Sequence, residues 1–162
     1  MDMFAYAVQM EKDAEALYLE LADRSNIGGI KKVFTMLAKD EAKHRAAIEK
    51  LQKKMDVEAE KGIASDIKTI FDEIRANFRN IKLDDHVVKD YEKALELEKK
   101  GLEHYKKLFD GEKEGKTKKL YETIMKQESY HAKTLENLVE MVRKPEWWVE
   151  NAEFNPKGYD YY

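Results

Sequence analysis

The sequence predicts an all-α protein folded as a four-helix bundle. Three observations carry that prediction: helix breakers are scarce, apolar residues recur at helical spacing through four long segments, and the chain repeats itself as two similar halves. Only two prolines and seven glycines punctuate 162 residues, and the Ala, Leu, Glu and Lys that dominate the rest are strong helix formers.

The first apolar stripe, Phe4, Ala7, Val8, Ala14, Leu17, Tyr18 and Leu21, follows the i, i+3, i+4, i+7 pattern and predicts a helix over residues 2–24. Residues 25–29, Ser-Asn-Ile-Gly-Gly, turn the chain. Ile30, Val33, Phe34, Leu37, Ile48, Leu51 and Met55 then predict a second long helix, running to about residue 59. Gly62 interrupts the pattern, and Ile63, Ile67, Ile70, Phe71, Ile74, Phe78 and Ile81 mark a crossover helix too short to span the bundle and return. Asp84 and Asp85 offer a cap and favourable charge for a third long helix, striped by Val87, Val88, Tyr91, Leu95, Leu102, Tyr105 and Leu108 and ending near Gly111. The fourth starts near Lys116, carries Leu120, Ile124, Leu135, Leu138 and Val142, and stops before Pro145.

The expected organisation is therefore one bundle over residues 1–144: a hairpin at 2–59, a crossover at 60–83 and a second hairpin at 84–144. A tail over 145–162 holds Trp147, Trp148, Phe154, Tyr159, Tyr161 and Tyr162, a content that predicts packing on the bundle or on a partner.

At an offset of 87, residues 7–52 align with 94–139 without a gap, and fourteen of the 46 pairs are identical. Lysine matches reflect composition, but Glu11 with Glu98, Tyr18 with Tyr105, Glu41 with Glu128 and His44 with His131 recur in the same order. Two copies of one hairpin joined by a long crossover make a bundle with pseudo-twofold symmetry.

Each repeated polar residue interrupts an apolar stripe. Glu11 lies between Val8 and Ala14, Glu41 and His44 between Leu37 and Ile48, Glu98 between Leu95 and Leu102, and Glu128 and His131 between Ile124 and Leu135. Residues three apart on a helix differ by about 60° around the axis and about 4.5 Å along it, so each Glu-x-x-His reaches one centre. Buried ionised carboxylates cost several kcal/mol apiece unless neutralised, and two divalent cations would cancel four negative charges. The six residues are thus candidate metal ligands. Oxygen-rich ligation with two imidazoles suits iron or manganese and admits zinc.

The bulk properties bound the alternatives. Thirty basic residues nearly balance 33 acidic ones, leaving no broad basic field to attract nucleic acid. No apolar run approaches the length of a membrane span and the first residues lack a secretory pattern, so a cytoplasmic protein is expected. With no cysteine, disulfides, zinc ribbons and rubredoxin-type iron sites are excluded from these residues.

Over residues 4–143 these motifs resemble the rubrerythrin-like branch of the ferritin-like di-iron superfamily, with one Glu on the first and third helices and a Glu-x-x-His on the second and fourth. The resemblance implies two iron ions bridged by Glu41 and Glu128, with Glu11, His44, Glu98 and His131 as terminal ligands. It also implies that Tyr18 and Tyr105, each seven residues after a ligand glutamate, orient carboxylates across the bundle. One departure is Gly101, with Ala14 at the matching place in the first half: rubrerythrins carry an extra carboxylate there, and the metal toggling tied to it is not implied here. His86 and His104 fall outside the stripes and read as surface residues.

The implied activity is reduction of hydrogen peroxide or dioxygen, with electrons from a separate donor protein such as a rubredoxin. A homodimer is compatible. The alternatives are iron oxidation for storage and a non-enzymatic bundle stapled by metal.

Overall fold

The computed structural model describes residues 2–57, 60–76, 85–146 and 148. Its helices are α1 (Met3–Arg24), α2 (Gly28–Gln52), α3 (Ala64–Ala76), α4 (Asp85–Gly111) and α5 (Lys116–Arg143), and no strand occurs among the described residues. The architecture is an all-α, ferritin-like helical bundle. α1 packs mainly on α2 and α4 mainly on α5, giving two hairpins; α1 also meets α4, and α3 lies against α2.

Local chemistry explains the helix ends. Asp2 caps α1, accepting the Ala5 N–H at 2.7 Å and so satisfying one of the amides that lack a partner inside the helix. α2 stops at Gln52, short of the expected residue 59. Lys54 adopts φ 57°, its N–H donates to the Leu51 carbonyl at 2.9 Å, and the Met55 N–H donates to the Lys50 carbonyl at 3.0 Å. This is a Schellman closure with lysine where glycine is usual, which is why the stop is invisible in composition. Met55, read as part of the apolar stripe, lies beyond the helix and is exposed.

α3 is held close to α2 by a glycine. A Cβ at Gly29 would lie 2.4 Å from Ile74 Cγ1, so the start of α2 and the end of α3 approach closely only because residue 29 has no side chain. Trp148 is fully buried, its ring centroid 6.0 Å from that of Phe71 and its face 5.3 Å from the Arg75 guanidinium carbon. Expectations for Phe78, Ile81, the Asp84 cap, Trp147, Phe154, Tyr159, Tyr161 and Tyr162 fall outside the described residues.

The apolar core is divided in two. One cluster joins Tyr18, Phe34, Leu37, Ile67, Phe71, Leu135, Leu138 and Trp148; the other joins Ala7, Ile48, Tyr105, Leu108, Leu120, Tyr121 and Ile124. Along α1 the order is Ala7, Glu11, Tyr18, and along α2 it is Leu37, Glu41, His44, Ile48. Every long helix therefore passes from one cluster to the other through its polar residues.

An L-residue in the left-handed region costs about 1–2 kcal/mol, offset in part by the flexibility of glycine in the unfolded chain. Lys54→Gly is expected to stabilise the protein by roughly 0.5–1 kcal/mol, seen as a rise of a few degrees in Tm; a fall would show that residue 54 does not close α2 in this way.

Candidate metal centre

The six repeated residues meet in the layer between the two clusters. Glu11 comes from α1, Glu41 and His44 from α2, Glu98 from α4, and Glu128 and His131 from α5, and none is more than 4% exposed. Their side-chain oxygen and nitrogen atoms form two overlapping groups, each within 4.8 Å: Glu11, Glu41, His44 and Glu128 in one, and Glu41, Glu98, Glu128 and His131 in the other. Glu41 and Glu128 belong to both.

Each imidazole turns Nδ1 inward. His44 Nδ1 lies 2.9 Å from Glu128 Oε1 and 3.3 Å from Glu41 Oε2; His131 Nδ1 lies 3.0 Å from Glu41 Oε1 and 3.5 Å from Glu98 Oε1. The two rings are nearly parallel, 5.8 Å apart at 19°. Tyr18 and Tyr105 cross between hairpins: the Tyr18 hydroxyl on α1 donates to Glu98 on α4, and the Tyr105 hydroxyl on α4 donates to Glu11 on α1. Burial, and then the charge of the neighbouring glutamate, pushes both phenols well above their ordinary range, which keeps them protonated as donors.

The carboxyls divide by position. Burial drives the shared Glu41 and Glu128 well above the usual carboxylate range, reinforced at Glu41 by the charges of Glu98 and Glu11 and at Glu128 by those of Glu41, Glu98 and Glu11. Burial also opposes ionisation of the outer pair, but facing imidazoles and hydrogen bonds outweigh it, holding Glu11 low and Glu98 at about 2. Burial disfavours the imidazolium form, yet the surrounding carboxylates overcome it, raising His44 well up and His131 to about 10. Without metal these shifts favour imidazolium charge facing the carboxylates of Glu11 and Glu98, and they disfavour ionisation of the shared pair.

Two further residues complete the centre, and the sequence reading passed over both. Asp40, 2% exposed, accepts from His131 Nε2 at 3.0 Å, and Gln127 Oε1 accepts from His44 Nε2 at 2.6 Å. They occupy equivalent places in the repeat, immediately before each Glu-x-x-His. The signal was available: a polar residue adjoining the motif in both halves. It was hidden because the two are not identical. The Gln127 amide donates to the Glu60 carbonyl at 2.9 Å, while Lys43 lies 3.7 Å from the Glu60 carboxylate and 4.0 Å from Asp40. A polar chain on the α2–α5 face therefore runs from one imidazole to the other.

Gly101 lies close against the centre, since a Cβ there would lie 2.9 Å from Glu128 Oε2. His86 is exposed. His104 is half-buried, its ring centroid 4.7 Å from that of Tyr6 and tilted at 54°, with Nε2 3.0 Å from the Met3 carbonyl, so it packs the start of α1 against α4.

The donor set fits a pair of metal ions. Glu41 Oε2 and Glu98 Oε2 are buried with no hydrogen-bond donor among the described residues, although buried polar atoms are nearly always satisfied. Inward Nδ1 atoms with Nε2 held from behind present imidazoles as metal ligands usually do.

Fold and site together define a class: a helical bundle whose buried carboxylate and imidazole layer fits a two-metal centre. The family model for rubrerythrin matches residues 2–139, and the chain belongs to that family. No curated protein and no solved structure matches the chain.

Removing one cross-hairpin hydroxyl leaves a buried carboxylate short of a donor, at a cost of about 1–3 kcal/mol. Tyr18→Phe and Tyr105→Phe are each expected to lower the Tm of metal-free protein by roughly 2–10 °C. Unchanged melting in both variants would show that these bonds do not brace the bundle.

Proposed function

We propose that the chain is a di-iron protein that reduces hydrogen peroxide or dioxygen with electrons from a separate donor protein. The observation that carries this reading is the pair of overlapping ligand groups sharing Glu41 and Glu128, in a chain of the rubrerythrin family. Glu11 and His44 would be terminal on one iron, Glu98 and His131 on the other, with Glu41 and Glu128 bridging. Iron suits the oxygen-rich set. These residues hold no cysteine for a rubredoxin-type iron, so electrons would reach the centre from outside the bundle.

When bound, the iron pair supplies two electrons at one place, matching the demand of peroxide, which takes two electrons and two protons to give two waters. The chain does the rest. Apolar clusters on both sides limit water. The tyrosine hydroxyls fix Glu11 and Glu98, and Asp40 and Gln127 fix the imidazole orientation. The asymmetry between Asp40 and Gln127 makes His131 the more electron-rich ligand of the two.

Anaerobic loading is expected to bind two Fe(II) per chain and to release up to four protons, two from the imidazoles and two from Glu41 and Glu128. Peroxide should then oxidise two Fe(II) for each molecule consumed; binding of one iron or none would end the proposal. Asp40→Asn is expected to weaken the His131 position about 10–100-fold. A zinc titration should show one of two binding steps shifted, and equal movement of both steps would count against the asymmetry.

A further inference from the structure

A cavity of about 290 Å³ opens between α1 and α4 and ends on the carboxylates of Glu11, Glu41, Glu98 and Glu128. Neither histidine lines it, so it reaches the centre from the side opposite the imidazoles. Its depth comes from two small residues. Ala14 and Gly101 are equivalent in the repeat, each one helical turn beyond its ligand glutamate, and both line the space. At Gly101 even a methyl group would meet Glu128 Oε2 at 2.9 Å.

The space exceeds what hydrogen peroxide or dioxygen needs. A water molecule takes about 30 Å³ of liquid volume, and an apolar cavity of about 150 Å³ holds benzene. The walls beside the carboxylate floor are largely apolar, with Met10, Ala14, Leu97 and Tyr6 contributing. At the rim Lys100 and Asp13 offset one another, while the floor repels an anionic ligand. The chemistry that fits is a neutral molecule with a polar, reducible head and a compact apolar body.

We propose that this cavity binds organic hydroperoxides, R–O–OH, with the peroxide end on the glutamate floor and a branched alkyl or phenyl-sized R group between Met10, Ala14 and Leu97. The inference rests on the peroxide-reducing reading of the centre and extends its substrate class. Reduction breaks the O–O bond: the hydroperoxide takes up two electrons, supplied singly by the donor protein through the centre, and two protons, leaving R–OH and water. The alcohol keeps the R group and none of the oxidising power, so it serves as an inert probe.

The test uses the full chain loaded with zinc, which is redox-silent, and 2-phenyl-2-propanol as the probe. Calorimetry should show one alcohol bound per chain. Ala14→Phe, which fills the cavity from α1, should weaken that binding at least tenfold while zinc content stays at two per chain. Leu97→Trp, filling it from α4, provides the same comparison if the first variant folds poorly. In iron-loaded protein, the ratio of kcat/KM for cumene hydroperoxide to that for hydrogen peroxide should fall at least tenfold in either variant. Turnover of hydrogen peroxide without alcohol binding, or an unchanged ratio in both variants, would overturn the inference and leave the peroxide-reducing reading intact. Alcohol binding with turnover of neither peroxide would instead remove that reading, and the hydroperoxide assignment with it.

Discussion

The structure depends on burying four carboxyls and two imidazoles in one layer. Moving an ion of this kind out of water costs several kcal/mol even after the protein relaxes, so the layer persists only if its charges cancel. Protons can achieve this in the metal-free chain: burial pushes the shared Glu41 and Glu128 toward the neutral form, while the facing imidazoles favour ionised Glu11 and Glu98. Two divalent cations replacing the four protons would leave the total unchanged. The charge of the six residues is thus the same in both states, and Asp40, buried beside them, has Lys43 at 4.0 Å.

This requirement also sets the register of the helices. A shift of one helix by a single turn would bring its glutamate into an apolar cluster and an aliphatic residue into the polar layer. The crossed tyrosines resist such sliding because each ties the first helix of one hairpin to a glutamate of the other. Symmetry holds where the two halves face each other and fails where the crossover passes. Residue 60 binds Gln127 through its carbonyl and Lys43 through its carboxylate, and Lys43 lies against Asp40. A single connecting segment cannot serve two equivalent positions equally, so one imidazole is backed by a carboxylate and the other by an amide.

Much of this was legible in the sequence because helical periodicity and duplication report the same arrangement independently. The stripes located the long helices, and the repeat selected Glu11, Glu41, His44, Glu98, Glu128 and His131 from many glutamates. What escaped detection has identifiable causes. The end of α2 depends on a lysine in a left-handed conformation, which composition does not advertise. Asp40 and Gln127 differ between the halves, and a search for identities discards them. His104 looked like a surface residue because its partners, Tyr6 and the Met3 carbonyl, are nearly a hundred positions away in a stretch with no shared pattern.

The two faces of the centre differ in the freedom they leave. On the α2–α5 side the imidazoles are held from behind by hydrogen bonds that extend to the crossover, and an imidazole offers one inward nitrogen in a direction fixed by the ring. On the α1–α4 side the donor groups are carboxylates, a type that can hold a cation through one oxygen or two, and the space beside them is left open by Ala14 and Gly101. The open space thus lies beside the carboxylates and away from the imidazoles. The imidazoles are braced from behind, and the small residues at positions 14 and 101 leave room on the carboxylate side alone.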